Sequence, residues 1–270
     1  MRRVFGLVIA FSLILSACSK PPVSTEPFSE RDRTAFTKWN IPGYFILKEV
    51  QVIGLGDSLT QGVGDEQKRG GYFGRLTDRM NEWKGVKEVE AENLAKRGRR
   101  SDQLLEQLGE RDVRNKIEDA EVILLTIGGN DIMKVVKENL FELTTGPFYQ
   151  ELGRFEDRLD EIFMTVRLLN GDALIVVAGL YNPFSIVTDE VHEFEEIIQD
   201  WNEAIELRTV LDGKSCFVPV TDLFDSNVNM VYHTDFFHPN AKGYEMMTER
   251  FLSSINKCDL YEMSDGDLEM

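Results

Sequence analysis

The chain has 270 residues and carries 30 Lys and Arg against 47 Asp and Glu, a formal net charge of -17. That balance argues against a general nucleic-acid binder, which needs a cationic face, and 42% hydrophobic residues argue against a disordered chain. Three cysteines cannot build a disulfide framework or a four-thiolate zinc site.

The N-terminus reads apart from the rest. Arg2 and Arg3 precede an uncharged apolar run over residues 4–17. The run is too short to span a bilayer and has the pattern of a secretory signal. It ends Leu15-Ser16-Ala17-Cys18, which resembles the lipobox of bacterial lipoproteins. Residues 1–17 are therefore expected to be a lipoprotein signal peptide, with Cys18 as the lipidated residue. Residues 18–48 form a Pro- and Ser-rich tether and an N-terminal extension, and the body is expected outside the cytoplasm, anchored to the membrane.

From residue 49 strand and helix patterns alternate. Strands are expected over 49–56, 86–94, 121–127, 173–180 and 215–220. Helices are expected over 72–83, 101–117, 148–170, 191–212 and 241–256. Apolar strands separated by helices imply a parallel sheet covered on both faces, here a five-stranded three-layer α/β/α sandwich. The domain spans 49–258 and an acidic tail follows over 259–270. Sites in such sheets lie beyond the carboxyl ends of the strands.

Those ends carry a constellation. Gly56-Asp57-Ser58-Leu59 follows the first strand, Asn93 and Gly98 the second, Gly128-Gly129-Asn130-Asp131 the third, and Asp235-Phe236-Phe237-His238 the fifth. Ser58 is the candidate nucleophile, His238 its base, and Asp235 the partner that fixes the imidazole. The Ser58 and Gly98 amides and the Asn130 side chain are candidate oxyanion donors. A second D-x-x-H, Asp189 to His192, reads better as the start of an acidic helix, and His233 lacks an acid three residues before it.

Together GDSLT, GGND and DFFHP resemble the SGNH, or GDSL, hydrolase family, over about residues 50–256. The resemblance implies a flavodoxin-like fold and ester hydrolysis by Ser58, His238 and Asp235 with no metal and no cofactor. With the lipobox it implies a lipoprotein member of Gram-positive type. Ala95 stands where the second block often has a glycine.

Other readings stand beside these. Asp57, Asp65 and Asp131 suggest a cation site, against ordinary turn chemistry. In the basic block Lys96 to Arg100, Arg99 and Arg100 are candidate contacts for an anionic substrate group, against a solvated loop. Tyr181, Phe184 and Tyr232, with Pro183, Val231, Phe141 and Phe148, could line an acyl groove. A disulfide between Cys216 and Cys258 is permitted because both fall at the inactive sheet edge, but two free thiols are the preferred reading. The expected protein is a monomeric esterase on lipid-like or small acyl esters. The alternatives are a carbohydrate O-deacetylase of the same family and a non-catalytic binding lipoprotein.

Overall fold

The computed structural model describes residues 43–140, 144–183, 192–224 and 230–270. Residues 1–42, on which the expected signal peptide, Cys18 and most of the expected tether fall, lie outside the described residues, as do Phe141, Phe184, Asp189 and the side chain of His192.

Five parallel strands form one sheet: β1 (Lys48–Gly56), β2 (Val86–Asn93), β3 (Val122–Thr126), β4 (Leu174–Ala178) and β5 (Ser215–Val218). Their order is β2-β1-β3-β4-β5. The chain runs outward from β1 to β2, then returns past it to β3, so the winding reverses between β1 and β3. A crevice opens at such a reversal, beyond the carboxyl ends of the strands.

Strand periodicity builds two cores. Val50, Val52, Val122, Leu124 and Val176 point to one face, and Ile53, Leu55, Ile123, Leu125 and Val177 to the other. The first face is covered by α2 (Gly71–Met80) and α8 (Ala241–Lys257), where Tyr72 stacks on Phe251 with centroids 4.3 Å apart. The second is covered by α3 (Ser101–Leu108), α4 (Arg111–Glu118), α6 (Gly146–Leu169) and α7 (His192–Asp212), with Phe155 stacked on Trp201 at 4.6 Å.

The elements depart from the sequence pattern in three places. The expected helix over 101–117 is two helices, because Glu110 is extended (ψ 131°) after Gly109. A short turn α1 (Ser58–Gln61) follows β1, and a full helix α5 (Gly129–Glu138) follows β3. Ile132, Val135 and Val136 give α5 a buried face at helical spacing.

Two expectations are corrected. Cys216 and Cys258 are disulfide-bonded, with Cα atoms 5.9 Å apart, and are not free thiols. Parallel topology brings the start of β5 beside the end of α8, within the separation a disulfide spans. Residues 259–270 do not form a separate tail. Asp259 caps α9 (Leu260–Met263), Leu260, Met263 and Leu268 are buried, and Glu269 pairs with Lys84 as an antiparallel bridge. The apolar residues among the acidic ones give this segment a face to bury.

Candidate active site

Each residue of Gly56-Asp57-Ser58 has a local reason. Gly56 has φ +103°, and a Cβ there would lie 1.8 Å from the Thr126 carbonyl oxygen, so only glycine fits where β1 leaves β3. Asp57 is the N-cap of α1, its Oδ1 accepting from the Leu59 amide at 3.0 Å and from Thr126 Oγ1 at 2.7 Å. The cap starts a helix turn at Ser58, whose amide has no partner among the described residues. Burial pushes the Asp57 carboxyl up to about 6, against the hydrogen bonds from Thr126 and Leu59.

The base comes from a loop closed on itself. The His233 amide donates to the His238 carbonyl at 2.8 Å, and the Asn240 amide to Val231 at 2.8 Å before Asn240 caps α8. Inside, Asp235 Oδ1 accepts from the Phe237 and His238 amides at 3.1 and 3.0 Å. This leaves Asp235 Oδ2 2.6 Å from His238 Nδ1, and His238 Nε2 lies 3.0 Å from Ser58 Oγ. Ser58 and His238 are both buried. Burial works to raise the Asp235 carboxyl, but the His238 amide and ring and the Phe237 amide outweigh it and hold it down at about 2. His233 lies nearby, its Nδ1 3.8 Å from Asp235 Oδ1 and 3.4 Å from Thr234 Oγ1, but it is not hydrogen-bonded to Ser58.

The remaining wall is a clamp between α3 and α5. Gly98 has φ +80° in the turn closed by the Arg99 amide on Lys96 O, and its own amide has no partner among the described residues. Nothing lies within 4 Å of where a Cβ would be, so the glycine serves the turn and not tight packing. Gln61 Oε1 accepts from the Arg97 amide at 2.6 Å, and Asn130 Nδ2 donates to Arg99 O at 3.1 Å, which leaves that amide a second proton. Asp131 is buried and accepts from Ser101 Oγ at 2.6 Å, from the Ser101 amide, and from Arg158. Asn93 Nδ2 donates to Thr60 O at 2.6 Å, tying β2 to α1.

Two compartments meet at Ser58. One is apolar, about 40 Å³, with Leu59, Ile132, Leu180, Tyr181 and Ile198 among its walls. The other, about 320 Å³, is lined by Arg97, Gly98, Lys137, Asp235 and His238. Asn130, Met133 and Phe237 border both. A buried hydroxyl and imidazole and a solvent-accessible carboxylate in one hydrogen-bonded line beside unpaired amides form an arrangement suited to acyl transfer.

The structure brings Ser58, Gly98, Asn130, Asp235 and His238 together at one site, with Tyr181 on its wall. Three expected substrate contacts are corrected. Arg99 is turned onto the Leu94 carbonyl at 2.8 Å and onto Gln107, and Arg100 is paired with Asp102 at 2.9 Å. Tyr232 is buried, its hydroxyl donating to Phe224 O at 2.8 Å and its ring packed on Phe224. Phe148 and Val231 belong to the core. The carboxylates considered for a cation are engaged otherwise: Asp57 caps α1, Asp65 is ion-paired with Arg75 at 2.6 Å, and Asp131 holds Ser101.

Met133 and Lys137 escape the sequence reading because it expects no helix after GGND. Positions 130, 133 and 137 share a face of a helix, so reading α5 would have found them.

With this geometry in place, comparison with known proteins decides the family. Residues 55–246 match the model of the GDSL-like Lipase/Acylhydrolase family. The chain belongs to that family. Its members hydrolyse esters, and the chain is an ester-hydrolysing enzyme of this type. It is 34% identical over 257 residues to the uncharacterized protein YpmR of Bacillus subtilis, covering 94% of this chain and 96% of that one. It is 25% identical over 208 residues to the spore germination lipase LipC of Bacillus licheniformis, covering 74% and 94%. Among solved structures the lipase Lip_vut3 from a goat rumen metagenome superposes with a TM-score of 0.69 at 24% identity, covering 76% of this chain and 97% of that one. That structural likeness agrees with the α/β fold described above.

Proposed function

We propose that the protein is a serine esterase whose nucleophile is Ser58, working through an acyl-enzyme. Ser58 Oγ attacks the ester carbonyl carbon and its proton passes to His238 Nε2. Asp235, ionised through the working pH range, holds Nδ1–H and stabilises the imidazolium. The Ser58 and Gly98 amides and the Asn130 side chain receive the oxyanion. Collapse of the tetrahedral intermediate breaks the carbon–oxygen bond to the alcohol, which leaves with the proton from His238. Water then attacks the acyl-enzyme and gives a proton to His238. The second collapse releases the acid and returns that proton to Ser58 Oγ.

The observation that carries this reading is the unbroken line from Asp235 Oδ2 through His238 to Ser58 Oγ, with links of 2.6 and 3.0 Å. The test is Ser58→Ala with p-nitrophenyl esters and a fluorophosphonate probe. Removing a triad nucleophile lowers kcat by about 10⁶-fold, and labelling should vanish. Activity within tenfold of wild type, or continued labelling, would sink the assignment.

The reading places the enzyme outside the cytoplasmic membrane, held by lipid on Cys18. Supporting it are the Arg2-Arg3 start, the apolar run and the Leu15-Ser16-Ala17-Cys18 sequence. The Cys216–Cys258 bridge is also in keeping with an oxidising compartment. Mass spectrometry of the mature N-terminus tests it: diacylglycerol on Cys18 is expected, and an unmodified start at another residue overturns it.

A further inference from the structure

We infer that the alcohol half of the ester carries a phosphate-like anion, seated between Arg97 and Lys137. The inference rests on the reading of Ser58 and His238 given above.

The two compartments at Ser58 are not equivalent. His238 and Asp235 line the larger one and are not on the wall of the apolar one. His238 has to hand its proton to the departing alkoxide, so the alcohol half lies on the His238 side. The acyl group then falls to the apolar side. The alcohol compartment is the one that holds Arg97 and Lys137.

These two cations stand out by position: Lys68, Lys96, Arg111, Arg114, Lys134 and Lys257 are likewise without an ion pair among the described residues, but of the described cations Arg97 and Lys137 are the ones that line the compartment of Ser58 and His238. Cations elsewhere on the body are commonly matched with carboxylates: Lys48 with Asp267, Arg79 with Glu249, Lys116 with Glu92, Arg167 with Asp212, Arg250 with Asp222. Within the basic block, Arg99 and Arg100 are also committed. Arg97 and Lys137 are exposed, and neither side chain has an ion pair or hydrogen bond among the described residues. The one carboxylate on their compartment is Asp235, which is bound to His238.

The backbone that carries each cation is fixed, while the side chains are left for a ligand. The Arg97 amide is fixed to Gln61, and Lys137 projects from α5 on the face that carries Asn130 and Met133. In a chain of net charge -17, an anion meets repulsion at long range. At about 0.15 M salt the screening length is only about 8 Å, so two local cations dominate at the site. Two unpaired positive charges match a phosphate better than a carboxylate. A phosphate offers enough oxygens for a guanidinium fork and an ammonium at once.

The test compares two esters that share a butyryl group: 1-butyryl-glycerol 3-phosphate and 1-butyryl-glycerol. The readout is the ratio of kcat/KM values, phosphate ester over neutral ester, for wild type and for Arg97→Ala with Lys137→Ala. Wild type should prefer the phosphate ester, and added NaCl should erode that preference. The double variant should lose about tenfold or more of the ratio, mainly through KM, since charge-assisted hydrogen bonds are the stronger ones. Arg97→Lys with Lys137→Arg should restore part of it. Fluorophosphonate labelling of Ser58 in each variant confirms that the site is intact. A ratio below one in wild type, or unchanged in the double variant, overturns the inference while leaving the esterase reading standing. Hydrolysis of neither ester by wild type, or of both by Ser58→Ala, overturns the esterase reading itself, and the inference falls with it.

Discussion

Gly64 presses directly on His238. A β-carbon at Gly64 would lie 3.0 Å from His238 Cβ and 2.5 Å from the Pro239 carbonyl oxygen, and the residue sits at φ +94°. The loop after α1 thus forms the floor under the base, although it belongs to neither the serine nor the histidine motif. Gly64→Ala should push the 233–239 loop away from Ser58. A displacement on the order of 1 Å at a catalytic group can cost about 10²-fold in rate, so kcat and the fluorophosphonate labelling rate should both fall by about that factor. The measurement is made well below the melting temperature of the variant. Labelling at the wild-type rate would mean that the loop absorbs the methyl group.

Asn130→Ala should lower kcat by roughly 10²–10³, the cost of one oxyanion donor, with little change in KM. The same amide also donates to Arg99 O at 3.1 Å. Asn130→Asp keeps the shape but loses both donations and adds a negative charge beside the oxyanion, so kcat should fall at least as far. Steady-state kinetics on a neutral ester decide it. An effect confined to KM would make Asn130 a substrate-binding residue.

The two aspartates of the site should act oppositely on stability as pH changes. Asp57 is raised by burial to about 6 from the ordinary 3.8, so the folded state binds its proton more tightly than the unfolded state. Its relative contribution is most favourable below about 4 and is lost as pH rises through 6. Asp235 is held at about 2, so its contribution is present above about 4 and lost as pH falls through 2. Asp57→Asn should therefore gain on wild type between pH 4.5 and 8, by about 2 kcal/mol at 1.36 kcal/mol per pH unit. Urea unfolding at the two pH values measures it. A difference between variant and wild type that does not move with pH would place the Asp57 titration outside this window.

Removing the Cys216–Cys258 bridge should weaken the fold and spare the chemistry. The bridge closes a loop with a sequence separation of 42. Chain-entropy arguments give about 4 kcal/mol as the upper value for a loop of that size, and about 2–4 kcal/mol is the usual yield. The bridge joins the start of β5 to the end of α8, at the sheet edge opposite Ser58. Cys216→Ser with Cys258→Ser should shift the urea midpoint downward, while kcat at 25 °C stays within twofold. A loss of kcat in the folded variant would show that the two edges are coupled.

Near-continuous runs of Val, Ile and Leu in the central strands are legible in the sequence because a parallel sheet buried on both faces demands them. The strand-end rule then gathers Ser58, Gly98, Asn130, Asp235 and His238 from the sequence alone. Those residues are local signals, since a cap, a positive-φ turn and an Asp-turn each announce themselves within a few positions. The sequence did not reveal which members of a charged run face the site. Arg97, Arg99 and Arg100 are alike as letters, and only the packing of Gln107, Leu94 and Asp102 against two of them leaves the third free. Lys137 was hidden for a related reason, because a helix starting at a glycine pair carries no local start signal stronger than its turn. The disulfide and the packing of residues 259–270 likewise depended on which sheet edge each segment meets. Local propensity determines the elements, whereas the distances between elements come from how the chain winds, and specificity and cross-links are set by those distances.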